Sequence, residues 1–337
     1  MERIDAVITY VDMSDPEWQS VYNDYVLTHD LPNREINSEI RFREYGALKA
    51  CLRSIAKYGS WINKVYLVVQ SESQVPSWIN RNEVSIVYHK DIIPEQYLPT
   101  FNSNVIELHV HRIKGLSEKF ILFNDDMLFV NNNDPMDYFI GNKCVHYIYS
   151  IANVKSNNSD DFYRRKRYTS LKILKDLGYN VDLQKVFYNC HGPLPLLKSE
   201  QELLYSKINV DSHISAFREV YNTSPELFTL FMKCRRKLVL LENASNRNKV
   251  CYYNTEGNYT INSHLHLKQN LLCDNSGGLY TYCINDVFKH ENIKDMSFVL
   301  KEVEQILKLR FPDQCKYETN NIPQTIPEAG SEGSTSI

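Results

Sequence analysis

Short apolar runs alternate with helical patterns through the first half of the chain. Ile4–Val11 (IDAVITYV), Lys64–Gln70 (KVYLVVQ), Val84–Tyr88 (VSIVY) and Lys119–Phe123 (KFILF) are rich in β-branched and aromatic residues. Such near-continuous runs read as strands buried on both faces. Asp12-Met13-Ser14-Asp15-Pro16 breaks the first run. Ser14 or Asp15 with Pro16 supplies a cap and first turn for a helix over Trp18–Val26. Within Glu39–Tyr58, Leu48, Leu52 and Ile55 fall at helical spacing, and Gly59 closes the segment. Asn104–Arg112 reads as a further helix. Strands alternating with helices predict an α/β fold with a mostly parallel, Rossmann-like sheet over residues 1–150, and ligands bind such sheets beyond the carboxyl ends of the strands.

Near residue 150 the pattern changes. Ser156–Asp161 (SNNSDD) is a polar break. Phe162–Leu177 starts with the basic run Arg164-Arg165-Lys166-Arg167 and continues with Leu171, Leu174 and Leu177. Residues 151–318 are expected to be helical and loop-rich and to complete a site begun by the first half. Residues 319–337, rich in Pro, Ser, Gly, Glu and Asn, are expected to form a disordered tail.

Composition narrows the chemistry. Of 337 residues, 43% are hydrophobic and the net charge is −3, which is globular and gives no sign of a nucleic-acid binder. Only 11 residues are Gly, and neither G-x-G-x-x-G nor G-x-x-x-x-G-K-[ST] occurs. A phosphate cradle of backbone N–H groups in a Gly-rich loop is therefore excluded. The eight Cys form no C-x-x-C pair, and no apolar stretch is long enough for a signal peptide or membrane span. Scattered reduced thiols in a cytosolic chain are the expectation.

Two acidic clusters fall at strand ends: Asp12 with Asp15, and Asp125 with Asp126. Adjacent carboxylates there can hold a divalent cation against a diphosphate, or can simply make a solvated turn. His191-Gly192-Pro193 puts a histidine on a turn, suited either to proton transfer or to the surface. Arg41, Arg43 and Arg218 could each grip phosphate or serve as surface ion pairs. Asp286 repeats the Asn-Asp theme. His109-x-His111 and His264-x-His266 look like metal pairs, although i and i+2 point apart on a helix. The run Arg164–Arg167 reads either as a contact with membrane lipid or an anionic acceptor, or as a solvated helix start.

Several of these segments together resemble the Stealth family. Ile4–Pro16 resembles its opening block, and Arg41–Trp78 with Leu98–Val130 its long second block. His191-Gly192-Pro193 through Phe217-Arg218 resembles the third block and Cys283-Ile284-Asn285-Asp286 the fourth. Tyr10 and Met13 stand where relatives often carry Trp and Gly. The resemblance implies a nucleotide-sugar-binding sheet of the GT-A kind and transfer of a sugar 1-phosphate from a UDP-sugar to an acceptor glycan, with release of UMP. It implies Mg²⁺ or Mn²⁺ on Asp125, Asp126 and Asp286, and catalysis by Asp125, Asp126, His191, Arg218 and Asp286. It implies substrate contacts from Asp12, Asp15, Arg41, Arg43, Asn102, Asn104, His111 and Arg112. Capsule or cell-surface polysaccharide synthesis would place the chain in the cytoplasm, peripheral to the inner face of the membrane, with a lipid-linked acceptor. The alternative is a metal-dependent glycosyltransferase that releases UDP.

Overall fold

The computed structural model describes residues 2–29, 39–153, 162–183, 185–243, 250–254, 267–268, 271–272, 279–285 and 293–319. The four apolar runs form its centre. β1 (Ile4–Thr9), β2 (Val65–Val69), β3 (Val84–Tyr88) and β4 (Lys119–Asn124) pair in the order β3-β2-β1-β4, all parallel. β1 and β2 are buried at every position, as a sheet covered on both faces requires. The helices between them are α1 (Pro16–Thr28), α2 (Ala47–Tyr58), the single turn α3 (His89–Ile92) and α4 (Ser103–His109).

After β4 the chain turns at Asp125-Asp126 and leaves the sheet. It continues through β5 (Met127–Phe129), β6 (Phe139–Ile140), β7 (Lys143–Asn153), α5 (Phe162–Asp176) and β8 (Lys185–Asn189). β9 (Leu194–Leu197) returns to the central sheet and lies antiparallel to β4. α6 (Lys198–Lys207) and α7 (Pro225–Cys234) follow. β10 (Leu238–Glu242) then joins β6, β7 and β8 in a second sheet. β11 (Val250–Asn254) and β12 (Thr281–Asn285) form a third sheet with β5. α8 (Ile293–Arg310) packs against α2.

The fold is therefore α/β with a mostly parallel, Rossmann-like central sheet, as the alternation of runs predicts. The later half holds helices and also β8 to β12. Segments such as VCYYN and TYCIN mix polar and aromatic residues and carry no continuous apolar run, so the pattern did not announce them. The expected helix over Glu39–Tyr58 is split. A 3₁₀ turn covers Glu39–Phe42, and Gly46, with φ +85°, starts α2 afresh in a left-handed conformation that favours glycine. The cap of α1 is Asp15 rather than Ser14; its carboxylate accepts from the Glu17 N–H at 3.1 Å, with Pro16 in the first turn.

Asp286, His264, His266, the break Ser156–Asp161 and the tail beyond Thr319 lie outside the described residues. Cys51, Cys144, Cys190, Cys234, Cys283 and Cys315 are free thiols. No described helix is long and apolar enough to cross a membrane.

Candidate active site

The chain builds β1, β2 and β3 outward and then returns to place β4 on the other side of β1. The strand order reverses between β1 and β4, and a crevice opens there at their carboxyl ends. Thr9 registers with Asn124, so Asp12 and the Asp125-Asp126 turn follow neighbouring strand ends. Tyr10, which is buried, lies within electrostatic reach of Glu44, Asp12, Asp125 and Asp15; burial first, then these charges, raise its pKa.

Glu44 is a third acidic component that sequence reasoning missed. Its carboxylate accepts from the Gly46 N–H at the start of α2 and is held there by the helix amino end. Burial first, then Glu44 and Asp126, push the Asp125 carboxyl well above the ordinary aspartate range. Asp125 thus sits among like charges, and a hard divalent cation beside it would relieve their repulsion. Asp125, Asp126 and Glu44 carry the oxygen donors such an ion takes, but among the described residues only Asp126 of the three belongs to a group whose ligand atoms lie close enough to share one ion.

β9 explains how His191 arrives. Because β9 runs antiparallel to β4, with Leu194 opposite Leu122, the preceding His191-Gly192-Pro193 turn falls at the carboxyl end of β4. β12 approaches from the other side: Cys283 registers with Met127, and the Ile284 N–H donates to the Asp126 carbonyl at 3.0 Å. As a result, ligand atoms of Asp126, His191 and Cys283 lie within 4.8 Å of one another, a group able to share a metal ion. Its mixed oxygen, nitrogen and sulfur donors suit a softer cation than the acidic set does. Cys283 had no signal beyond its place in the fourth block. Gly192 is needed for the approach, since a Cβ there would stand 2.8 Å from Val250 Cγ1. His191 is open to solvent on one side. The protein packed around it lowers its pKa, Glu226 opposes, and Arg218 and Arg41 act in the same direction as burial. Water at the open edge limits the desolvation, but the direction favours a neutral imidazole at neutral pH.

The arginines are placed by an aromatic cluster. Trp18, Tyr22, Phe42, Phe101 and Phe217 bury one another, with Trp18–Phe42 centroids 5.0 Å apart and Phe101 stacked on Phe217 at 5.3 Å. Arg41 precedes Phe42 and Arg218 follows Phe217, so one cluster holds both. Arg41 donates from Nη2 to the Tyr163 hydroxyl at 2.8 Å, and Arg218 donates from Nη2 to Ser103 Oγ at 2.8 Å. Beside Arg218 lies Glu107, 5% exposed; burial raises its pKa, and Arg218, Asn104 and Lys166 oppose that rise. Glu107 gave no signal in the sequence, and Lys166 was read only as a member of the basic run.

Other expected site residues take different places. Asn102 is fully buried; its amide donates to the carbonyls of Ser215 and Phe217 and to Asn222, so it holds the segment that carries Arg218. Asn104 is buried between Lys166 and Glu107. Asp15 spends its carboxylate on the α1 cap, Ser73 and Gln74. Arg43 is partly buried next to Glu44 in the chain. His111 and Arg112 follow α4, which runs back along the sheet to the start of β4, the edge opposite the acidic turn. There His109 Nδ1 donates to the Val105 carbonyl at 2.7 Å, His111 Nδ1 to that of Leu108 at 3.0 Å, and both rings pack on Tyr205. They share no ligand-like face. The basic run divides as well: Arg164 and Arg165 are exposed, Arg167 pairs with Glu226 at 3.3 Å, and Lys166 is buried.

On the α2 side of the acidic turn a cavity of about 370 Å³ is lined by Asp12, Asp15, Glu44, Lys49, Gln74 and Trp78, among others. Fold and site together define an α/β protein whose carboxylates, imidazole and guanidinium groups meet at one sheet crevice. Residues 41–147 match Stealth protein CR2, conserved region 2. The receptor polysaccharide phosphotransferase WefC of Streptococcus oralis is 30% identical over 94% of this chain and 100% of its own length. The capsular polysaccharide phosphotransferase WcwK of Streptococcus pneumoniae is 31% identical over 94% and 100%. The exopolysaccharide phosphotransferase cps2G of Lactiplantibacillus plantarum is 44% identical over 40% and 39%. The chain belongs to the Stealth family.

Proposed function

We propose that the protein transfers a sugar 1-phosphate from a UDP-sugar to a hydroxyl of an acceptor glycan in capsule or cell-surface polysaccharide synthesis. The observation that carries this reading is that His191 lies in one ligand group with Asp126 of the acidic turn and also within electrostatic reach of Arg218 and Arg41. The acceptor oxygen attacks the phosphorus that bears the sugar. The bond from that phosphorus to the oxygen bridging to the second phosphate breaks, UMP leaves, and a phosphodiester forms. His191 takes the acceptor proton, a role for which a neutral, accessible imidazole is suited. Arg218 and Arg41 bind phosphate oxygens, and their guanidinium groups match the charge that spreads over them. Mg²⁺ or Mn²⁺, held by Asp125 and Asp126 near Glu44, would neutralise the diphosphate. The resemblance of its block gives Asp286 a part in holding that ion. The cavity beside Asp12 and Trp78 takes the nucleoside. In this reading residues 1–150 hold the donor and residues 151–318 bring His191 and Arg218. The exposed Arg164 and Arg165 suit a chain working at the inner membrane face on a lipid-linked acceptor.

The test is the nucleotide released when the protein is incubated with UDP-sugars, the metal ion and acceptor glycan. UMP is expected, and UDP would mean that a glycosyl group moves instead. His191→Ala and Asp126→Ala should each lower turnover by about 10²-fold or more with the fold retained. Near-normal rates in both would remove the site assignment.

A further inference from the structure

The basic run that opens α5 is divided by the fold, and one of its members points inward. Lys166 is 5% exposed, whereas Arg164 and Arg165 face solvent. A buried ammonium is costly unless it is paired and hydrogen-bonded. Lys166 meets that cost by donating from Nζ to Asn104 Oδ1. Lysine offers only donors, so the amide oxygen of Asn104 must face it. The amide nitrogen is thereby turned to Glu107, and donates to Oε2 at 3.2 Å. Ser103, next in sequence, receives Arg218 and bonds to Glu107 as well. The same face of α5, three residues earlier, presents Tyr163 to Arg41.

We propose that Lys166 is a positioning residue of the reaction centre: through Asn104 it fixes the Glu107 carboxylate beside Arg218, and so fixes the guanidinium that grips the phosphoryl group. The phosphate-binding role of Arg218 rests on the function proposed above. The charged groups facing Glu107 are Arg218 and Lys166; those facing Lys166 are Arg218, Glu226, Glu107 and Arg41. Burial first, then Arg218, lowers the Lys166 pKa to about 7, while Glu226 and Glu107 oppose. Lysine, asparagine and glutamate therefore form a one-way chain of donors that ends on a buried carboxylate. Removing its first member takes one of two cations away from that carboxylate and frees the Asn104 amide to turn over.

The test compares Lys166→Met, which keeps length and loses charge, with Lys166→Arg. The Glu107 carboxyl is followed by NMR in protein labelled with ¹³C-glutamate, with its signal identified by Glu107→Gln, so this readout needs no turnover. In Lys166→Met the Glu107 midpoint should rise by about one pH unit. The kcat for nucleotide release should fall about tenfold or more, with the KM for donor changed less. Lys166→Arg should restore part of both. An unchanged Glu107 midpoint, or a loss of stability in a variant that keeps wild-type kcat, would overturn the proposal. If Lys166→Met does not fold, Asn104→Ser breaks the chain at its second member and must give the same shift. Release of UDP by the wild-type protein would overturn the phosphotransfer reading, whereas the Glu107 midpoint decides the role of Lys166 whichever nucleotide is released.

Discussion

At the scale of single residues, the site depends on how closely one turn approaches the strands behind it. His191 reaches Asp126 and Cys283 because Gly192 lets the backbone lie against Val250 and Thr281. Gly192 has no left-handed conformation to require glycine; the requirement is space alone. A methyl at 2.8 Å from Val250 Cγ1 must move the turn or the valine. We therefore expect Gly192→Ala to cost about 1–3 kcal/mol, as overpacking does, and to lower turnover by displacing the His191 imidazole. Val250→Ala removes the obstructing methyl groups. The double variant Gly192→Ala/Val250→Ala should recover much of the loss in thermal midpoint and in kcat. Strictly additive effects in the double variant would show that the contact is not the cause. The glycine beside His191 was visible in the sequence, but the reason for it was not, because Val250 and Thr281 belong to strands far along the chain.

At the scale of elements, what the sequence disclosed and what it hid follow from contact range. β1 to β4 were legible because each is a local apolar run, and the acidic turn was legible because it ends one of them. Arg41 and Arg218 were both named as candidates, but their coming together was not legible. It is created by an aromatic cluster drawn from α1, the turn over Glu39–Phe42, the approach to α4 and the segment before α7. Nothing local in Arg41 or Arg218 distinguishes them from surface arginines. Glu107 gave no local signal, and Lys166 read as one of four basic residues, since what sets them apart is distant in sequence: Arg218 beside Glu107, and Asn104 for Lys166 on α5. This arrangement gives the cluster a role beyond burial. Phe217→Leu keeps most of the apolar volume and loses ring contacts worth about 0.5–1.5 kcal/mol. Phe231, buried against Tyr179 in the main core, offers a control of similar cost. Phe217→Leu should reduce turnover about tenfold or more by misplacing Arg218, whereas Phe231→Leu should leave it near wild type at a similar loss of thermal midpoint. Equal activities would show that the cluster stabilises without positioning.

At the scale of the whole molecule, buried histidines tie stability to pH. His89, His109, His111 and His146 are all buried, and burial pushes each imidazole down to about 4. Three of them are hydrogen-bonded in place: His109 and His111 to carbonyls of α4, and His146 to the Pro195 carbonyl at 2.8 Å and to Thr229. His89 differs, since both its ring nitrogens are buried without a hydrogen-bond partner. In the unfolded chain each imidazole has its ordinary pKa of 6.5. As pH falls through 6.5 the unfolded state takes up protons that the folded state refuses, so stability is full above 6.5 and is lost between 6.5 and about 4. For one such group the loss at about pH 5 is about 2 kcal/mol. The thermal midpoint should therefore drop steeply from about pH 7 to about pH 5, before most carboxylates titrate. His89→Phe removes one proton acceptor and two desolvated nitrogens while keeping a ring of similar shape. It should flatten the acid limb and raise the midpoint more at the acid end of that range than at the neutral end. A parallel shift at both ends would mean that His89 is protonated no differently in the folded and unfolded chain. The acid loss would then fall to the three hydrogen-bonded histidines, whose contacts with backbone carbonyls and Thr229 a substitution would also break.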